Sequence, residues 1–77
     1  MKLFLLERED RYEYDEFIAF VVCAESEEDA FNVVAENEDV NECNWPTKNK
    51  ELVTIKEIGT AGQDIERTII LDSFWYP

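Results

Sequence analysis

Apolar residues fall along this chain in four short runs and one helical stripe, and the spacing within each predicts its element. Leu3-Phe4-Leu5-Leu6 and Phe17-Ile18-Ala19-Phe20-Val21-Val22-Cys23-Ala24 are partly β-branched or aromatic, and a polar segment from Glu7 to Glu16 divides them. They read as two antiparallel strands, Lys2 to Leu6 and Phe17 to Ala24. Between them Tyr12 and Tyr14 alternate with charges, so that segment either continues both strands or forms a loop.

After the second strand the period changes from two to 3.6. Ser26 stands three residues before Asp29 and just ahead of Ala30-Phe31, a helix-start signal in which the hydroxyl caps an exposed amide. Glu27, Glu28 and Asp29 then lie at the positive end of the helix dipole. At 100° per residue, Ala30, Phe31, Val33 and Val34 share one side, while Glu28, Asp29, Asn32 and Glu36 share the other. This helix has an apolar floor and an acidic roof, and it should end near Asn37.

A polar connection from Asp39 to Lys50 carries one anchor, Trp45-Pro46, and the indole is expected to fold back over the core. Leu52 to Ile58 is a third strand. Gly59-Thr60-Ala61-Gly62 offers turn chemistry for a hairpin into a fourth, Thr68 to Phe74. The predicted order is β-β-α-β-β, an α+β fold in which one helix packs on one face of an antiparallel sheet, with residues 1–77 as a single domain.

One consequence of this order is a shortage of cover. Phe17, Ala19, Val21 and Cys23 would line one face of the second strand, and Ile18, Phe20, Val22 and Ala24 the other. A single short helix covers one face only. The second face must meet the aromatic tail Phe74-Trp75-Tyr76, a folded-over loop, a second copy of the chain or a target, because large apolar patches are seldom left exposed.

Composition confirms a folded chain and adds a strong sign. With 45% hydrophobic residues it is too apolar to stay disordered despite a net charge of −12. At 77 residues it buries only about 60% of its unfolded surface, which leaves a thin stability margin. Nineteen acidic residues oppose seven basic ones, and between Arg11 and Lys48 there is no cation at all. Glu13, Asp15, Glu16, Glu25, Glu27, Glu28, Asp29, Glu36, Glu38, Asp39 and Glu42 fill that stretch. Such a field attracts basic surfaces and repels nucleic acid and anionic lipid. Ordinary surfaces intersperse both signs.

Candidate chemistry is sparse. The chain lacks histidine, the commonest general base at neutral pH and a common metal ligand. Ser26 serves as a cap, Ser73 sits in a strand and Cys23 reads as a small core residue, none with an evident base beside it, while Cys43 reads as an ordinary loop residue. Glu13, Asp15 and Glu16 are the nearest approach to a calcium site, yet they lack the spaced acids and central glycine of an EF-hand loop. Gly59 and Gly62 are without the lysine and helix of a phosphate loop. The expectation is a non-enzymatic protein with no cofactor and no metal. Two cysteines make no disulfide framework, Met1 to Leu6 is too short for a secretory signal, and no segment reaches the length of a membrane span. A cytoplasmic location is expected, without membrane association.

Several segments, Tyr14-Asp15-Glu16-Phe17, Phe20 to Ala30, Ile58-Gly59-Thr60-Ala61 and Ile70-Leu71-Asp72-Ser73-Phe74, resemble a largely uncharacterised family of small acidic phage and prophage proteins. The shared motifs are structural, and the chain departs from the family's small-residue ending by carrying Trp75-Tyr76-Pro77. The resemblance implies a phage or prophage origin, a site of action inside an infected bacterial cell, and kinship with inhibitors of host defence of the anti-CRISPR or anti-restriction type.

Together these readings give an expected function. Carboxylates can replace phosphates in a basic groove, because Arg and Lys recognise both by charge-assisted hydrogen bonds. The expected partner is a basic, nucleic-acid-binding defence protein such as a CRISPR complex or nuclease, met by Glu13, Asp15, Glu16, Glu28, Asp29, Glu36, Glu38, Asp39 and Glu42 without direct contact to nucleic acid. The alternative is an adaptor that dimerises or docks through an apolar sheet face and the tail Phe74, Trp75 and Tyr76.

Overall fold

The computed structural model describes residues 1–9, 16–38, 40, 45–46 and 50–75, with Glu16, Phe74 and Trp75 described by their backbone alone. Strands β1 (Lys2–Arg8) and β2 (Glu16–Ala24) precede helix α1 (Glu27–Ala35). A single 3-10 turn (Lys50–Leu52), β3 (Val53–Thr60) and β4 (Thr68–Trp75) follow. The four strands form one antiparallel sheet in the order β3-β1-β2-β4, so the predicted α+β architecture holds.

The expected hairpin between the last two strands does not form. β3 and β4 lie on opposite edges of the sheet, and residues 61–67 cross from one to the other past the ends of β1 and β2. Three strand spacings are about 14 Å, a gap that seven residues can span. The physical reason lies in apolarity. β1 and β2 have the longest apolar runs and take the two central positions, whereas β3 with Lys56-Glu57 and β4 with Asp72 tolerate the wetter edges. Both edge strands are also bulged, with Ile58 and Ile70 left out of register, an arrangement that disfavours edge-to-edge pairing.

Register assigns the faces. Phe4 pairs with Val22, Leu6 with Phe20 and Lys2 with Ala24, and paired residues project to the same side. β2 and β3 run in the same direction on either side of β1, and α1 connects them across this side of the sheet. The core therefore joins Phe4, Leu6, Phe20 and Val22 to Ala30, Phe31, Val33 and Val34 of α1, with Val40, Trp45 and Val53 closing its margin. Each large side chain among them contributes about 1.5–3 kcal/mol by leaving water. Trp45 folds over the core as predicted, edge-on to Phe20 with ring centroids 4.8 Å apart and planes at 86°.

Arg8 is the charged exception on this side. It is buried, donates from Nη1 to the Phe17 carbonyl at 3.1 Å and places its guanidinium 5.9 Å from the Trp45 ring centre. Those contacts offset the cost of taking a charge out of water.

Among the described residues no helix covers the other face of the sheet, where Leu3, Leu5, Ala19 and Val21 are half-buried. Its central strands present Leu3, Leu5 and Glu7 beside Ala19, Val21 and Cys23. The crossover covers only one end, where Ala61 N–H donates to the Met1 carbonyl at 3.0 Å and the Cys23 sulfur lies 3.9 Å from the Ile65 carbonyl. Cys23 is consequently fully buried, as its sequence predicted, though under the crossover and not beneath the helix. Farther along, nothing described covers Leu71, which is 65% exposed.

Candidate functional site

The acidic flank is built by the start of α1. Ser26 adopts extended backbone angles, φ −154° and ψ 170°, which turn the chain out of β2 and aim its hydroxyl along the helix axis. Its Oγ accepts from the Asp29 amide at 3.1 Å, and Asp29 Oδ2 accepts from the Glu25 amide, also at 3.1 Å. Two otherwise unsatisfied donors are thus met by side chains three residues apart, a variant of the capping box.

Asp29 does more than cap. Arg67, the last residue before β4, donates from Nε to Asp29 Oδ1 at 2.8 Å. The same guanidinium donates from Nη1 and Nη2 to the two carboxylate oxygens of Glu36, at 3.2 and 3.3 Å. Seven residues of helix, about 10.5 Å of rise, separate the two acids, and one fork spans them along a single side of α1. Glu36 stands at the negative end of the helix, whose last turn holds no basic residue. Arg67 supplies from another element the cation that this end lacks.

These bonds shift both partners. The Glu25 amide, together with the bonds and charge of Arg67, holds the Asp29 carboxyl below its ordinary range against the opposing effect of partial burial. The hydrogen bonds that Arg67 donates to Glu36 and then to Asp29 raise its guanidinium above its usual value.

Not all of the expected acidic row is therefore open. Asp29 and Glu36 are engaged by Arg67, while Glu28 and Glu38 are exposed, as are Glu25 and Glu27, and none of these four has an ion pair among the described residues. Glu16 forms the start of β2 opposite Trp75. Glu13, Asp15, Asp39 and Glu42 lie outside the described residues. Sequence reasoning missed Arg67, because it compared charges along the chain. Asp29 and Glu36, seven positions apart on one helical face, were the available signal that a single cation could bridge them.

The candidate apolar surface is the side of the sheet away from α1. Leu5, Ala19, Val21, Leu71 and Ser73 line a shallow depression of about 120 Å³. A polar hollow of about 260 Å³ lies between α1 and β4 beside Arg67 and Thr68. Neither reaches the roughly 300–1,000 Å³ of pockets that enclose small ligands. Phe74 pairs with Phe17 and Trp75 with Glu16 at the far end of β4, and Tyr76 lies outside the described residues.

Among the described residues no group of three or more acidic, cysteine or histidine side chains is placed to hold a metal ion. No described helix is long and apolar enough to cross a membrane. No protein-family profile, curated protein or solved structure matches the chain.

Proposed function

We propose that this protein is a non-enzymatic inhibitor of the phage type. It docks its acidic flank in the groove that a basic, nucleic-acid-binding defence protein keeps for DNA or RNA. The observation that carries the reading is the exposure of Glu25, Glu27 and Glu28 at the N-terminal end of α1 and of Glu38 just past its C-terminal end, without an ion pair among the described residues. Carboxylates so placed are available to arginine and lysine of a partner through the bonds that phosphates otherwise make. Arg67 holds the helix against β4 and leaves these four carboxylates for an incoming surface.

A second reading, an adaptor acting through its apolar sheet face, is favoured by the exposure of Leu71 beside Leu5 and Val21. The two readings differ in salt dependence, since exposed charge attraction is screened over about 8 Å at physiological ionic strength. The deciding experiment captures partners from a bacterial host lysate with the wild-type chain and with Glu27→Gln/Glu28→Gln/Glu38→Gln, eluting by a salt gradient. The acidic reading predicts a basic nucleic-acid-binding protein that leaves at moderate salt, is displaced by DNA and is lost with the variant. Partners retained equally by both chains would contradict it.

A further inference from the structure

We propose that the sheet face away from α1 is the contact surface for a second copy of this chain, the two sheets packing face to face with both helices outward. Leu5, Val21 and Leu71 form one row across it, from the central strands to the β4 edge. The exposed carboxylates of α1, Glu27 and Glu28, lie on the opposite side of the sheet.

Charge on this face is self-complementary. Glu7, opposite Thr54, and Lys56, opposite Leu5, both project to this side, and neither has an ion pair among the described residues. They stand diagonally on neighbouring strands, roughly 8 Å apart by strand spacing and rise. A two-fold axis lying in the interface and bisecting that diagonal runs across the Leu5–Val21 row. It places Glu7 against Lys56 of the second copy twice over, and packs Leu5 and Val21 near their own equivalents. The strands of the two sheets then cross steeply, in the orthogonal class of sheet packing.

Area sets the strength. Four strands about 4.8 Å apart and some eight residues long at about 3.3 Å per residue give a face of roughly 500 Å² in projection. The crossover covers one end of this face, so two copies bury less than about 1,000 Å², the lower limit for a specific interface. The dimer is therefore weak and reversible. Edge pairing is the poorer route, because β3 and β4 are interrupted by the bulges at Ile58 and Ile70.

Sedimentation equilibrium of the full chain over a wide concentration range tests this proposal, and folding of every variant is checked by circular dichroism. The expected result is reversible association to twice the 9.1 kDa chain mass. It should strengthen between about 0.01 M and about 0.15 M salt, as screening shortens from about 30 Å to about 8 Å and the repulsion between two chains of charge −12 falls. Leu71→Lys should abolish the dimer although it lowers the net charge. Glu7→Lys and Lys56→Glu should each weaken it, and the double exchange should restore it. A monomer throughout, a dimer indifferent to Leu71→Lys, or an exchange that fails to restore association would overturn the proposal. Capture of a basic partner, which weakens with salt, reports on the acidic flank and stands or falls separately.

Discussion

Replacing Asp29 separates the structural role of the acidic flank from its binding role. In Asp29→Ala the Glu25 amide loses its acceptor, Arg67 loses its shortest partner and the first helical turn loses one of three carboxylates. An acid at a helix N-terminus contributes about 0.3–1 kcal/mol. A partly exposed hydrogen bond adds about 0.5–1.5 kcal/mol. The variant should be less stable by about 1–2 kcal/mol, which for a domain of this length lowers the melting temperature by roughly 5–15 °C. Asp29→Asn keeps an acceptor oxygen for Glu25 and loses the charge, so about half of the effect should remain.

The pH dependence follows from the direction of the carboxyl shift. Asp29 is held below its ordinary 3.8 in the folded chain, so the unfolded chain binds the proton first as acid is added. Its contribution is complete above 3.8 and is lost as pH falls through the lower folded value. Thermal melts of wild type and Asp29→Ala at neutral pH should therefore differ, and the gap should narrow, though not vanish, as pH falls below 3.8, because the neutral carboxyl still accepts from the Glu25 amide. A variant that melts with wild type at neutral pH, or a gap that persists unchanged in acid, would rule out the capping and clamping roles.

Arg67→Ala frees two carboxylates and changes the net charge from −12 to −13. If the flank binds a basic partner, titration calorimetry should show tighter binding, even though the helix is less firmly tied to β4. Phe20→Ala removes a fully packed ring in contact with Trp45 and should cost about 3–5 kcal/mol, enough to unfold much of the population by circular dichroism. Cys23→Ser places a hydroxyl beneath the crossover, where the sulfur makes only long contacts. Denaturant unfolding should show a loss of about 1–3 kcal/mol, and Cys23→Ala a smaller one.

Local pattern made most of the fold legible. The unbroken apolar runs Leu3 to Leu6 and Phe17 to Ala24, partly β-branched or aromatic, gave the strands, and Ser26 with Asp29 marked the helix start that the hydrogen bonds show. Strand order was not legible, because Gly59 and Gly62 carry the same turn chemistry whether the chain folds back on β3 or crosses the sheet. What decides it is competition for the two central positions, a property of four strands together and not of any turn. The clamp by Arg67 was hidden for a related reason. Charge counted along the sequence shows a stretch without cations, whereas the crossover returns one to the middle of that stretch in space. The uncovered sheet face, in contrast, follows from counting apolar faces against one helix, and the run from Phe17 to Ala24, apolar on both sides, is enough to reveal it.

Whether the exposed carboxylates beside α1 take the place of nucleic-acid phosphates on a basic partner is decided by affinity for the purified captured protein. It should be measured from about 50 mM to about 500 mM salt, the range over which phosphate contacts lose much of their strength. Phosphate replacement requires a steep fall with salt, mutual exclusion with duplex DNA, and a shallower slope for Glu27→Gln/Glu28→Gln/Glu38→Gln. Affinity that is flat across this range, or simultaneous binding of DNA and this protein to the partner, would be incompatible with it.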